Sequence, residues 1–168
     1  MKPCRLWIYR LLTWWLPETR CFWWKRGLLR WAGATVGKNV RINSSAIFSG
    51  NGGLVIGDDV WVGARDVICS TAPAHIVIGS HVDIAPEVMM LTGSHEIDPA
   101  GEHIGGKGMA TSVTIGNGCW LGARATILPG VTLAEKTLVA ASSVVTRSVD
   151  EPCTLVAGIP ARFKKRLD

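Results

Sequence analysis

Residues 113–133 read VTIGNGCWLGARATILPGVTL, and within them Ile115, Leu121, Ile127 and Leu133 fall at every sixth position. The same beat extends in both directions. Val139 and Val145 continue it, while Val36, Ile42, Phe48, then Ile56, Val62, Ile68, then Ile78, Ile84, Met90 precede it. A small residue commonly follows, as at Gly57, Gly63, Ala85, Gly122 and Ala140. Four positions on comes a second set: Val60, Asp66, Val82, Val88, Cys119, Ala125 and Val131. An α-helix repeats near 3.6 residues and a two-sided strand near 2, so neither accounts for a strict six.

A triangular coil does account for it. If each unit is one short strand plus one corner, three units close a turn and the first aliphatic side chain points into a prism. The small residue beside it lets the chain bend. Asp58, Asp59, Asn117 and Gly118 lie at corners, where they tolerate a left-handed backbone better than other residues. One coil cannot bury its own apolar face, so several must stack on a shared core. The expected fold is therefore all-β, a parallel β-helix with coils at 36–53, 56–73, 78–95, 115–132 and 133–150. The segment 96–112, EIDPAGEHIGGKGMATS, drops the repeat and is rich in Gly. Excursions of that length in compact domains tend to be functional or disordered.

The first 35 residues form a separate segment. Residues 4–31, CRLWIYRLLTWWLPETRCFWWKRGLLRW, hold six of the eight Trp. Arg10 interrupts the apolar run and no small-residue cleavage site follows, which excludes a signal peptide. Glu18, Arg20, Lys25 and Arg26 exclude a membrane span, which needs about 20 uncharged apolar residues. Two short amphipathic helices around Pro17 remain. Their Trp and Arg residues suit a cap on the open end of the prism, packing against a neighbouring subunit, or contact with a membrane surface.

The net charge is +5, with Lys25, Arg26 and Arg30 near one end and Arg162, Lys164, Lys165 and Arg166 near the other. The readings open for these are a solvated surface, an acidic membrane at the first cluster, and a phosphate-bearing cofactor at the second. No nucleic-acid-binding motif accompanies the charge, so nucleic acid is not an expected partner. The five cysteines are odd in number, without CxxC or metal-ligand spacing, which points to a reducing, cytoplasmic chain and no metal site.

From Val36 to Leu167 the sequence resembles the hexapeptide-repeat acyltransferases, specifically the maltose/galactoside O-acetyltransferases and their polysaccharide-biosynthesis relatives. The segments carrying the resemblance are VDIAPEVMMLTGSHEID (82–98), 113–133 as quoted, VAASSVVTRSV (139–149) and AGIPARFKKRL (157–167). The aromatic leader is similar to that of capsule, O-antigen and exopolysaccharide acetyltransferases. The resemblance implies a left-handed winding, which the period alone does not fix. It also implies acetyl-CoA as donor, a saccharide hydroxyl as acceptor, and a homotrimer with active sites between subunits.

Acetyl transfer from a thioester needs a base as the acceptor attacks, and an imidazole with an ordinary pKa of about 6.5 serves at physiological pH. The family's catalytic histidine matches His95 in TGSH, whereas His75, His81 and His103 lack that context. Asp66 falls where sugar acetyltransferases carry a polar residue, usually Asn; it is either an acceptor contact or a corner residue. Asp83 and Glu87 are weaker candidates for orienting the imidazole. By resemblance, Ala123 and Ala141 line the groove for the pantetheine arm. Thr146 and Arg147 lie near the adenine end, and Arg162 and Lys165 attract the phosphates. Alternatives are acetylation of an amino sugar nucleotide or of serine, and a non-catalytic β-helix scaffold. A zinc hydratase would need three converging histidines, and the spacing offers no such set.

Overall fold

In the computed structural model, which describes residues 1–167, the six-residue beat becomes a triangular parallel β-helix. The first coil comprises β1 (Thr35–Val36), β2 (Arg41–Ile42) and β3 (Ile47–Ser49), and the second β4 (Gly53–Ile56), β5 (Trp61–Val62) and β6 (Val67–Cys69). The third comprises β7 (His75–Ile78), β8 (Asp83–Ile84) and β9 (Met89–Leu91). A hairpin of β10 (Gly93–Ile97) and β11 (Gly105–Ala110) then leaves the prism. The fourth coil is β12 (Val113–Ile115), β13 (Trp120–Leu121) and β14 (Thr126–Ile127); the fifth is β15 (Thr132–Leu133), β16 (Leu138–Val139) and β17 (Val144–Val145). A further strand, β18 (Thr154–Gly158), extends one face, and β19 (Ala161–Arg166) folds back on it antiparallel.

The register aligns the aliphatic series residue for residue. On one face Val36, Ile56, Ile78, Ile115 and Leu133 stack. On the second the column is Ile42, Val62, Ile84, Leu121, Val139 and Val156. On the third it is Phe48, Ile68, Met90, Ile127 and Val145. All are buried, as are Val60, Asp66, Val82, Val88, Cys119, Ala125 and Val131 of the second set. Two inward positions per six-residue unit thus build one continuous core, held by parallel ladders between coils.

The small residue after each aliphatic has a different role from the expected bend. A Cβ on Gly122 would sit 2.5 Å from Ala141 N, and one on Gly116 2.6 Å from Glu135 N. These glycines let one coil lie against the next. The left-handed conformation falls two residues later instead, at Asn39, Asp59, Arg65, His81, Gly118, Arg124 and Ser142 among others. Of the four corner residues named from sequence, Asp59 and Gly118 adopt it. Asp58 and Asn117 act through their side chains: Lys38 N donates to Asp58 Oδ1 at 2.6 Å, and Ser80 N to Asn117 Oδ1 at 2.8 Å.

The leader folds as α1 (Pro3–Thr13) and α2 (Phe22–Trp31), on either side of Pro17. Leu6, Tyr9 and Leu29 join the prism's core, with Tyr9 edge-on to Phe48 at 5.7 Å. The basic residues of α2 turn inward. Lys25 Nζ donates to the Ile42 carbonyl, Arg26 Nη1 to Val40 and Arg30 Nε to Val36. A β-helix leaves the carbonyls of its first coil without a preceding strand, and this cluster supplies donors to that edge.

Candidate active site

His95 does not end the third coil as expected. That coil closes at Leu91, and His95 lies inside β10, on the arm that leaves the prism. The segment 96–112 is accordingly no irregular loop: much of it is the second strand of an antiparallel hairpin and its turn. His95 faces Gly108 across the ladder, with its register slipping before Ile97. Positions where Cβ atoms of Gly105 and Gly108 would lie are 3.9 and 4.0 Å from the imidazole or its Cβ. Two glycines therefore flank the ring, which is exposed.

Neither carboxylate named beside His95 pairs with it among the described residues. Glu87 Oε2 accepts from Arg124 Nε at 2.6 Å and Oε1 from Arg65 Nε at 3.0 Å. The Arg124 and Arg65 guanidiniums hold its carboxyl below the usual range. Asp83 is exposed on β8, between Trp61 and Trp120 in the ladder.

Asp66 is a correction. It is fully buried at the inward position held by Val60, Val82, Val88, Cys119, Ala125 and Val131 in other units, and each of its two oxygens accepts a hydrogen bond from within the chain. Gly63 N donates to Oδ2 at 2.6 Å and Val88 N to Oδ1 at 2.9 Å. An acceptor hydroxyl cannot reach it, and its part is to tie the second coil's corner to the third. Burial pushes the carboxyl up to about 7, against the pull of both amides.

Ala123 and Ala141 come together. With Pro86, Glu87, Arg124 and Ser142 they line an open groove of about 400 Å³ along one edge of the prism. The edge is built by stacked corners: Arg124 N donates to Pro86 O at 3.0 Å, and Ser142 N to Ala123 O at 2.8 Å. Glu87, Arg124 and Ser142 all have positive φ. Glu87 is named from sequence only as a candidate to orient His95, and Arg65 and Arg124 escaped the sequence reading, although a signal existed. Arg65, Glu87, Arg124 and Ser142 each stand three residues after an inward aliphatic, so stacking was bound to align them.

Arg147 and Arg162 also come together, lining a hollow of about 460 Å³ past the last full coil with Asp150, Glu151 and Phe163. The two carboxylates were not anticipated. Thr146 is exposed beside Arg147, and Lys165 sits on β19 opposite Leu155; neither lines this hollow. His95 lines neither the groove nor the hollow.

The comparisons bear on this arrangement. The bacterial transferase hexapeptide (six repeats) family matches residues 112–147. A candidate colanic acid biosynthesis acetyltransferase, WcaF of Escherichia coli (strain K12), is 37% identical over 161 residues, covering 90% of this chain and 84% of its own. The chain belongs to the hexapeptide-repeat acetyltransferases. Galactoside O-acetyltransferase of the same strain is 30% identical over 148 residues, covering 86% of this chain and 69% of its own. Among solved structures, a hexapeptide-repeat containing acetyltransferase of Vibrio cholerae O1 biovar eltor, complexed with acetyl coenzyme A, matches with TM-score 0.68 at 24% identity. That match covers 98% of this chain and 86% of the other. The fold of this acetyltransferase is thus the left-handed β-helix.

Proposed function

We propose that this acetyltransferase moves the acetyl group of acetyl-CoA to a hydroxyl of a saccharide in surface-polysaccharide assembly, with His95 as general base. The observation that carries the reading is the exposed imidazole of His95. It stands on a defined strand between two glycines, with no hydrogen-bond partner of its own among the described residues. The names of the two relatives, colanic acid biosynthesis and galactoside O-acetylation, support a saccharide acceptor.

The reaction follows from those groups. The acceptor oxygen attacks the thioester carbonyl carbon while the imidazole takes its proton. The carbon–sulfur bond then breaks, the acetyl ester remains on the acceptor, and CoA leaves as the thiolate and is protonated. The Ala123–Ala141 groove is flat enough for a pantetheine arm to lie along the stacked corners. The Arg147–Arg162 hollow offers cations for phosphates, and Thr146 and Lys165 stand exposed nearby on the same end. His95 lies outside both, which fits a site completed by a neighbouring subunit in a homotrimer. All five cysteines are free thiols, which supports a reducing, cytoplasmic setting.

The test is release of CoA thiol from acetyl-CoA against a panel of sugars, wild type beside His95→Ala. Loss of a general base lowers turnover by about 10²–10⁴-fold. Near-normal turnover in the variant overturns the role of His95, and a preferred amine acceptor overturns the saccharide. Sedimentation as a monomer with full activity overturns the shared site.

A further inference from the structure

The leader has two apolar faces, and only one is used. On α1, Leu6, Tyr9 and Thr13 are buried against the first coil. Trp7, Leu11 and Trp14, one turn apart on the opposite side, are exposed by 67%, 51% and 68%. Trp15 follows at 82%, and on α2 Trp23 is exposed by 68% and meets Trp24 edge-on at 5.5 Å. A helix with large apolar residues on both its buried and its exposed sides leaves surface to be covered, and a group of exposed large aromatics marks an interaction surface. No helix among the described residues is long and apolar enough to cross a membrane.

The charges around the patch say what it meets. Lys25, Arg26 and Arg30 are spent on the carbonyls of the first coil. Arg5 donates to Trp31 O and stacks on its ring at 4.9 Å. Lys2, Arg10 and Arg20 are exposed and, among the described residues, have no ion-pair partner. Arg10 itself lies in the notch between Trp7, Leu11 and Trp14. The leader's one acidic residue, Glu18, is turned away and accepts from Ser45 N at 3.1 Å. Outward, the leader is therefore aromatic, and its exposed charges without a partner among the described residues are cationic, the exposed Glu18 being engaged by Ser45 N. A second copy packed on it end to end would set these cations against their own counterparts.

We propose that the outer face of α1 and α2 seats this enzyme on an anionic lipid surface. Trp7, Trp14, Trp15 and Trp23 lie at headgroup level, and Lys2, Arg10 and Arg20 meet lipid phosphates. Both helices lie across the end of the prism, so the β-helix stands away from the bilayer while the leader is in the interface plane. Trp and Arg together are the residues that partition to that boundary. The same short segment is thus both the cap of the prism and its membrane contact, with the two roles on opposite faces.

The experiment is co-sedimentation of the full chain with vesicles of phosphatidylcholine alone and with added phosphatidylglycerol, at low and high salt. The expected result is binding that requires phosphatidylglycerol and weakens with salt. Trp14→Ser/Trp15→Ser should weaken it by about tenfold or more. Arg10→Gln/Arg20→Gln should weaken it by about fivefold per charge. Both residue pairs are exposed, and unchanged circular dichroism and melting would show that the variants remain folded. His95→Ala should bind vesicles like wild type, so the lipid contact is separable from the reaction proposed for His95. Absence of binding to either vesicle overturns the proposal. So does a Trp14→Ser/Trp15→Ser variant that binds normally, or one that changes oligomeric state instead.

Discussion

Lys25 Nζ lies 3.0 Å from the carbonyl oxygen of Ile42, and the same ammonium donates to Pro17 O at 3.1 Å and Glu18 O at 2.7 Å. A buried ammonium with three carbonyl acceptors is satisfied in full. It joins the leader, the turn after α1 and the first coil in one contact. Burial lowers its pKa, with Glu18 acting in the opposite direction.

Lys25→Met keeps the stem and removes the three donors. Buried carbonyls without partners cost about 1–3 kcal/mol each before relaxation. We expect a loss of roughly 2–5 kcal/mol, read as a lower urea midpoint with the leader's Trp fluorescence changing in the same transition. An unchanged midpoint would mean that the Lys25 contacts contribute no stability to the prism.

Tyr9 presents the reverse case. Its ring packs edge-on to Phe48, while its buried hydroxyl has no hydrogen-bond partner among the described residues. Burial accordingly pushes the phenol well above its ordinary value. Tyr9→Phe keeps the packing and removes the orphaned group, so stability should rise by about 0.5–2 kcal/mol. A fall in melting temperature would show that the hydroxyl is satisfied in solution.

How far the sequence carried the fold shows in which positions the period reached. Every aliphatic residue assigned inward from Val36 to Val145 is buried, because the core needs only size and apolarity at fixed intervals. What the period missed depends on contacts across coils. Gly122 matters for the backbone stacked against it, not for its own conformation. The motif around His95 located the residue but not the strand it sits on, since a six-residue period is silent about a departing hairpin. Asp66 was open to two readings, and burial decided between them: it occupies one of the inward positions. Arg124 was missed, and Glu87 was read as a partner for His95, because a corner charge is ordinary until its neighbour in the next coil is counted.

Asp66 makes stability depend on pH. Its folded pKa of about 7 stands above the ordinary value of 3.8, so between these the folded state holds a proton that the unfolded state has released. Stability therefore falls as pH rises through that window and levels off above about 7. The drop should be about 2–4 kcal/mol. Urea denaturation at pH 5 and pH 8 measures it. Asp66→Asn should flatten the curve while costing stability at both pH values, because an amide can accept from only one of Gly63 N and Val88 N. A wild-type curve as flat as the variant's would place the titration elsewhere.

The two surfaces proposed for the cofactor can be separated kinetically. Ala141→Leu adds three carbons to the wall of the groove shared with Ala123 and Arg124, and nothing there is charged by the change. If the pantetheine arm lies in that groove, KM for acetyl-CoA should rise by about tenfold or more, since overpacking a contact costs about 1–3 kcal/mol. That rise should be insensitive to salt. Arg162→Ala in the hollow should also raise KM for acetyl-CoA, but the ratio of wild type to variant should shrink at high salt, because phosphate–guanidinium attraction is screened. Asp150 and Glu151 line the same hollow and oppose an anion, so Asp150→Asn should lower KM where Arg162→Ala raises it. Equal kinetics for Ala141→Leu and wild type would remove the groove from the cofactor's path. A KM unmoved by either change in the hollow would mean that the phosphates lie outside it.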